Sequence, residues 1–333
     1  MRRAAVIGCG DVSSVHFGAL KGMDVELVGV SDTDAGRLRA ATDAHGVPGY
    51  VDYRELLEAQ RPDVVHICTP HDQHAAMAIE ALDRGINVIV EKPLAHTLEE
   101  GRRLVEAARR SDAKLGVCFQ NRYNATSRAL RSLLDGGTLG AVRGASATVM
   151  WHRTADYYRD RPWRGTWAEG GGGLMMNQAI HTVDLLQWLV GEVESVSGSA
   201  SNRSLGGVIE VEDTAEFAAT HAGGAASVFY ATLANAENAP ITLDVVTEKA
   251  SLSLRGDLTI THADGTVEVV REAAGDAGGR DYWGASHGLL IADFYATLDD
   301  PEPFWIDALE AEKSLRIVKG IYSQSAFDPA LTA

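Results

Sequence analysis

Three cysteines in 333 residues are too few, and odd in number, for a disulfide framework, and Cys9, Cys68 and Cys118 show no CxxC spacing for a metal. That scarcity fits a reducing compartment, and a cytoplasmic protein is expected. Basic residues are also short: 30 Lys and Arg against 46 Asp and Glu leave a formal net charge of −16. This excess of negative charge excludes unassisted binding to nucleic acid or to an anionic membrane surface, both of which would repel the chain. It does not restrict a small ligand, because a pocket can carry a local field of the opposite sign. Long apolar runs are missing too: in "MRRAAVIGCGDV" two arginines precede a short apolar run, which glycine and aspartate end before a signal-peptide core or membrane span could form. Internal repeats, low-complexity tracts and long linkers are absent. What remains, at 45% hydrophobic and 23% charged residues, is an ordinary globular composition whose length predicts two domains.

The first third alternates short β-branched runs with helical segments: "AAVIG", 11–21, "VELVGVS", 33–44, "DVVHICTP", 72–84, "INVIVEKP", 97–110 and "KLGVCF". Strands apolar throughout and separated by helices indicate a doubly wound parallel sheet covered on both faces, here over 1–120. The second domain, 121–333, has a helix at 124–135, the run "VRGASATVMW", a glycine-led helix, and the period-two segments "VEDTAEFAATH", "AASVFYATL", "ITLDVVTE" and "ASLSLRG". It reads as an α/β domain with an open, mostly antiparallel sheet. Helices at 284–299 and 307–324 close the chain and are expected to pack back on the first domain.

"VIGCGDVSS" places Gly8, Gly10 and Ser13 in a G-x-G-x-x-G/A/S frame directly after a strand and opening a helix. Gly8 permits the tight turn and Gly10 lets the backbone approach a pyrophosphate, while the helix start at Asp11 and Val12 offers N–H groups to phosphates. Asp32 ends the second strand, where a carboxylate accepts from both adenosine ribose hydroxyls and repels a 2′-phosphate, favouring NAD over NADP; the alternative is that it caps the next helix. "ICTPHDQH" and "IVEKP" end two further strands, adding Thr69, Pro70, His71, His74, Glu91 and Lys92 at the cofactor edge. Two histidines without a third ligand do not make a metal site, and none is expected. Lys92 at its strand end can bind a hydroxyl oxygen and stabilise developing alkoxide charge.

In "EGGGGLMMNQAIHTVDLLQWLVG", Asn177, His181 and Asp184 fall four and seven apart, one polar stripe on an otherwise apolar helix. The stripe lines either a cavity or a buried hydrogen-bond network. Just before it, "WHRTADYYRDRPWRGTW" is dense in Trp, Tyr and Arg, which stack on sugar rings and bind hydroxyls or carboxylates, or else pack between domains.

Taken in order and spacing, "GCGDVS", "TPHDQH", "EKP", "GGGGLMMNQAIHTVD" and the closing "DALEAEKSLRIVKGIYSQSA" resemble the glucose-fructose oxidoreductase and inositol dehydrogenase family, Gfo/Idh/MocA. The resemblance implies a Rossmann domain plus an open-sheet domain used for dimer or tetramer contacts. It implies that Lys92 and His181 face each other across the nicotinamide, that the glycines let the chain pass close to the cofactor, and that Arg122, Tyr158, Trp163, Arg164, Asn177 and Asp184 contact substrate. The family often has aspartate where this chain has Asn177, so proton transfer is assigned to His181 alone. The expected activity is hydride transfer between NAD and a carbinol or keto carbon of a sugar, cyclitol or sugar derivative. Alternatives are a redox-neutral sugar lyase, or a non-catalytic dinucleotide sensor, which would be expected to lose the lysine or the histidine that this chain keeps.

Overall fold

A computed structural model describes residues 1–272 and 286–327; positions 284 and 285 of the expected 284–299 helix lie outside them. The chain divides into two compact units, Met1–Gln120 with Asp276–Glu312, and Asn121–Gly275 with Lys313–Ala333.

In the first unit the elements run β1 (Arg2–Ile7), α1 (Ser13–Lys21), β2 (Val25–Ser31), α2 (Ala35–His45), β3 (Gly49–Tyr50), α3 (Tyr53–Gln60), β4 (Val64–Ile67), α4 (His71–Asp83), β5 (Asn87–Val90), α5 (Leu98–Arg110) and β6 (Leu115–Val117). Every strand pair is parallel, in the order β3-β2-β1-β4-β5-β6. Ala4, Val6, Val30, Val64, Val65, Ile67 and Val88–Val90 are fully buried, as strands covered on both faces must be. The order reverses beside β1, and ligands bind such sheets outside the carboxyl ends of the strands at that point. β3 and α3 are additions to the sequence-based expectation.

The second unit contains α6 (Ala125–Asp135), β7 (Val142–Met150), α7 (Ala155–Arg159), α8 (Trp167–Gly170), α9 (Ile180–Val190), β8 (Val193–Ser201), β9 (Thr214–His221), β10 (Ala226–Thr232), β11 (Thr242–Thr247), β12 (Ala250–Arg255), β13 (Asp257–His262) and β14 (Val267–Val270). Its eight-stranded sheet has the order β14-β13-β12-β11-β7-β10-β9-β8, antiparallel except for the β7–β10 pair. Ala147, Val149, Leu243 and Val245 are buried on the face that α9 covers. The register puts Val228, Tyr230, Val246, Val267 and Val269 together on the opposite face, all exposed.

Two helices complete the description, α10 (Ser286–Ala296) and α11 (Ala308–Tyr322). α10 packs on α1 within the first unit, and Gly116 of β6 leaves room for Phe294 and Phe304, whose rings a Cβ there would meet at 2.8 and 2.9 Å. Among the described residues no helix is long and apolar enough to cross a membrane.

Candidate active site

The glycine turn after β1 has two different glycines. Gly8 takes φ +89°, and a Cβ there would lie 2.6 Å from the Cys68 carbonyl oxygen, so glycine is required by the chain's own packing of β1 on β4. At Gly10 the nearest atom to an added Cβ is Arg37 Nη1 at 3.9 Å, which leaves that backbone open to a ligand. Helix α1 starts with no side-chain cap, so its N-terminal N–H groups are not taken up by a capping side chain. The alternative role for Asp32 falls to another residue: Asp34 is the N-cap of α2, accepting from Arg37 N at 2.8 Å. Asp32 instead accepts from Cys9 N and Asp34 N, both at 2.8 Å, tying the glycine turn to the end of β2 while its carboxylate keeps further acceptor capacity.

Lys92 is half-buried past the end of β5, and both its neighbours are anchored. His74, fully buried, lies 2.8 Å from the Pro93 carbonyl and 2.9 Å from the Thr69 carbonyl, a strut between the loops after β4 and β5. Burial pulls its pKa down, and the two carbonyl contacts pull the other way without reversing that. His71, also buried, sits with its ring centroid 5.7 Å from that of His74. Thr69 and Pro70 are half-buried at the start of α4. The Glu91 carboxylate is turned into the protein, 3.0 Å from His16 Nε2 and 3.2 Å from His287 Nε2. Burial would raise its pKa, yet the imidazole hydrogen bonds outweigh burial and hold it well below the usual carboxylate range.

In the second unit the glycine run is explained from within the unit. Gly171 takes φ +68° as the cap of α8, and Gly172 takes φ +148°. A Cβ on Gly173 would lie 2.2 Å from the Glu212 carbonyl oxygen, and one on Gly172 the same distance from Tyr322 Oη. Close approach here is to Glu212 and Tyr322. Glu212 accepts from Gly173 N at 2.9 Å, Met175 N at 2.8 Å and Tyr322 Oη at 2.6 Å, capping the helix start from the loop just ahead of β9. Burial pushes its pKa up, and these donors recover only part of that shift.

The polar stripe is split. Met175–Ala179 forms a π-helical turn ahead of α9, a wide turn often found at functional sites. Asn177 and His181 are half-buried, whereas Asp184 is 1% exposed and holds Arg122, equally buried, through two bonds of 2.7 Å to Nε and Nη2. Ser314 Oγ donates to the same carboxylate at 3.0 Å. Arg122 and Asp184 therefore form an internal ion pair at the buried end of the stripe, whereas Asn177 and His181 stay half-buried.

Beside Asn177 stands Tyr157, whose Oη accepts from Asn177 Nδ2 at 3.3 Å and from Gln178 Nε2 at 3.0 Å. The guanidinium of Arg164 lies 4.6 Å, and that of Arg153 5.2 Å, from the centre of the Tyr157 ring; Arg164 also stacks on Trp163 at 5.6 Å. Tyr158, by contrast, is 3% exposed, and burial pushes its phenol pKa up. Consecutive helical residues point about 100° apart, so only one of the pair can face Asn177.

Comparison with known proteins decides the family. The model of an oxidoreductase family with an NAD-binding Rossmann fold, GFO_IDH_MocA, matches residues 2–119, and the GFO/IDH/MocA C-terminal domain matches 127–253. The chain belongs to the Gfo/Idh/MocA family. It is 31% identical to the D-apiose dehydrogenase of Paraburkholderia graminis over 277 residues, 79% of this chain and 71% of the relative. It is 28% identical to the myo-inositol 2-dehydrogenase of Thermotoga maritima over 204 residues, 60% and 58% of the two chains. The structure of the WlbA dehydrogenase from Bordetella pertussis in complex with NADH and UDP-GlcNAcA aligns with TM-score 0.84 and 31% identity, covering 97% of this chain and 95% of that one. Levoglucosan dehydrogenase, at 22% identity and TM-score 0.86 over 100% and 98% of the chains, shows the same fold.

In this member of the family, Tyr157, Arg153, Glu212, His16 and His287 join the site residues that the sequence singled out. Tyr157 shares its dipeptide with Tyr158, and no periodicity separates them. Glu212 reads as the start of a strand, and its capping role depends on a contact 39 residues away.

Proposed function

We propose that the chain is an NAD-dependent dehydrogenase that oxidises a secondary hydroxyl of a sugar or cyclitol to the ketone, with Lys92 and His181 as its catalytic residues. The observation that carries this reading is Lys92 at the carboxyl edge of the parallel sheet, between two residues that His74 and the His16–His287 pair immobilise. The residues present fit the dinucleotide: Gly10 leaves its backbone open, α1 has no side-chain cap, and Asp32 retains acceptor capacity for ribose hydroxyls. NAD held there would supply the hydride acceptor for the carbinol carbon. The chain does the rest: His181 takes the hydroxyl proton, Lys92 stabilises the oxygen as it gains charge, and Asn177, steadied by Tyr157, orients the substrate hydroxyls. Trp163 and Arg164 supply the wall on which the sugar rests.

The test is NADH absorbance with NAD and a panel of sugars, cyclitols, sugar acids and nucleotide sugars, chosen because relatives are named for D-apiose and myo-inositol and one binds UDP-GlcNAcA. Lys92→Ala is expected to lower turnover by about 10²–10³-fold, as loss of an oxyanion donor does. His181→Ala turning over at the wild-type rate would defeat the proton assignment. We also propose that copies associate through the apolar face carrying Val228, Tyr230 and Val246, and that Tyr230→Glu shifts sedimentation towards the monomer; an unchanged sedimentation coefficient in this variant would count against it. The three free cysteines support a reducing, cytoplasmic setting.

A further inference from the structure

Behind the glycine turn, the first unit contains a buried line of side chains that hydride transfer does not use. Tyr295 Oη of α10 is 3.0 Å from His66 Nε2 on β4, His66 Nδ1 is 2.9 Å from His16 Nδ1 on α1, and His16 Nε2 is 3.0 Å from Glu91 Oε1. His287 of α10 closes the line at 3.2 Å from the same oxygen. His16 and His66 are fully buried, His287 and Glu91 nearly so. We propose that this Tyr295–His66–His16–Glu91–His287 line is a positioning device that keeps Glu91 as a fixed anion next to Lys92, and so keeps the Lys92 ammonium charged and in place. The proposal rests on the catalytic reading of Lys92 given above.

Chemistry sets the direction of the hydrogen bonds at the carboxylate. A carboxylate only accepts, so His16 and His287 both donate from Nε2. Burial holds His66 neutral, well below the ordinary histidine value, so it has one N–H. In the proposed line His16 Nδ1 accepts from His66 Nδ1, and His66 Nε2 accepts from the Tyr295 hydroxyl, whose pKa burial raises. Every proton in the line then points towards Glu91. Of the neighbouring groups, burial pushes the thiols of Cys68 and Cys118 well up and pulls His74 down, which keeps these three uncharged near neutral pH. Glu91 and Lys92 are consecutive residues just past the end of β5, so fixing the Glu91 carboxylate also fixes the backbone from which Lys92 extends. An adjacent carboxylate favours the ammonium form of a lysine, and a neutral amide does not.

The chain has six lysines, so their carbon-13 signals can be followed individually in the NADH-bound, full-length protein, with Lys92 identified by its loss in Lys92→Ala. Glu91→Gln is expected to lower the Lys92 titration midpoint by about one pH unit, leaving the other five lysines in place. An unmoved Lys92 midpoint in folded Glu91→Gln overturns the proposal. A measurement on the wild type does not depend on that variant folding: nitrogen-15 histidine spectra should show His66 protonated at Nδ1 and His16 at Nε2. A proton on Nε2 of His66 overturns the proposed polarity. Full turnover by Lys92→Ala would instead remove the catalytic reading itself, a failure distinct from a Lys92-dependent enzyme whose lysine ignores Glu91→Gln.

Discussion

Two buried glutamates, one in each unit, are held in opposite ways. Glu91 is gripped by imidazole side chains and its pKa lies well below the ordinary value; Glu212 is gripped by two backbone N–H groups and a phenol, and its pKa lies above it. Both are buried, at 5% and 0% exposure, so burial does not distinguish them. The difference is in the donors: Glu91, next to Lys92 in the chain, is held by two imidazoles, whereas Glu212 fastens the start of the helix that carries His181. The first unit holds its buried carboxylate with groups that can themselves change protonation. The second anchors its buried charge, Asp184, with Arg122, which does not deprotonate.

The largest effect expected from this contrast is in the second unit. Asp184→Ala leaves the Arg122 guanidinium buried without its carboxylate and should cost about 3–5 kcal/mol in denaturant unfolding, with little dependence on pH between 6 and 8. Next come the two isosteric amides. Glu91→Gln should cost about 3 kcal/mol because two hydrogen bonds to a charged acceptor weaken, while Glu212→Gln should cost about 1 kcal/mol because its site already favours the neutral form. Equal costs would erase the distinction.

Acidification should separate the units further. His66 and His74 have folded pKa values below the ordinary 6.5, so the unfolded chain takes protons first and their stabilisation is lost as the pH falls below that value. Glu91, lowered from 4.5, stabilises above that value and ceases to as the pH falls through its folded pKa. Glu212, raised from 4.5, acts oppositely: its penalty is largest at neutral pH and fades on acidification. Amide hydrogen exchange at pH 5.5 against pH 7.5 should therefore show β1, β4 and β5 losing protection before β7, β10 and β11 do. The smallest effects distinguish adjacent tyrosines: Tyr157→Phe should raise KM or lower kcat with stability changed by at most about 1 kcal/mol, and Tyr158→Phe should leave kinetics unchanged.

The parallel sheet was legible because its strands are apolar on both faces, and the cofactor edge because the residues after β1, β2, β4 and β5 must lie at one end of such a sheet. Strand β3, two residues long, and the short helix α3 carry too little pattern to be read. The stripe of Asn177, His181 and Asp184 was legible as a stripe, but not the burial of Asp184, because its pairing with Arg122 spans 62 residues; the π-helical turn that holds Asn177 has no composition signal either. The glycines before it were recognisable as a close approach, but what comes close, Glu212 and Tyr322, is set by tertiary packing. His16, His66 and His287 lie on three elements far apart in sequence, each unremarkable in its own window.

The central claim is that hydride passes from a carbinol to NAD with the help of Lys92 and His181. Its most direct test uses the polyol selected by the panel, deuterated at the carbinol carbon, with mass analysis of the NADH formed. The account predicts one deuterium in NADH from the wild type and almost none formed by Lys92→Ala or His181→Ala. Turnover without NADH, or NADH without deuterium, would contradict it.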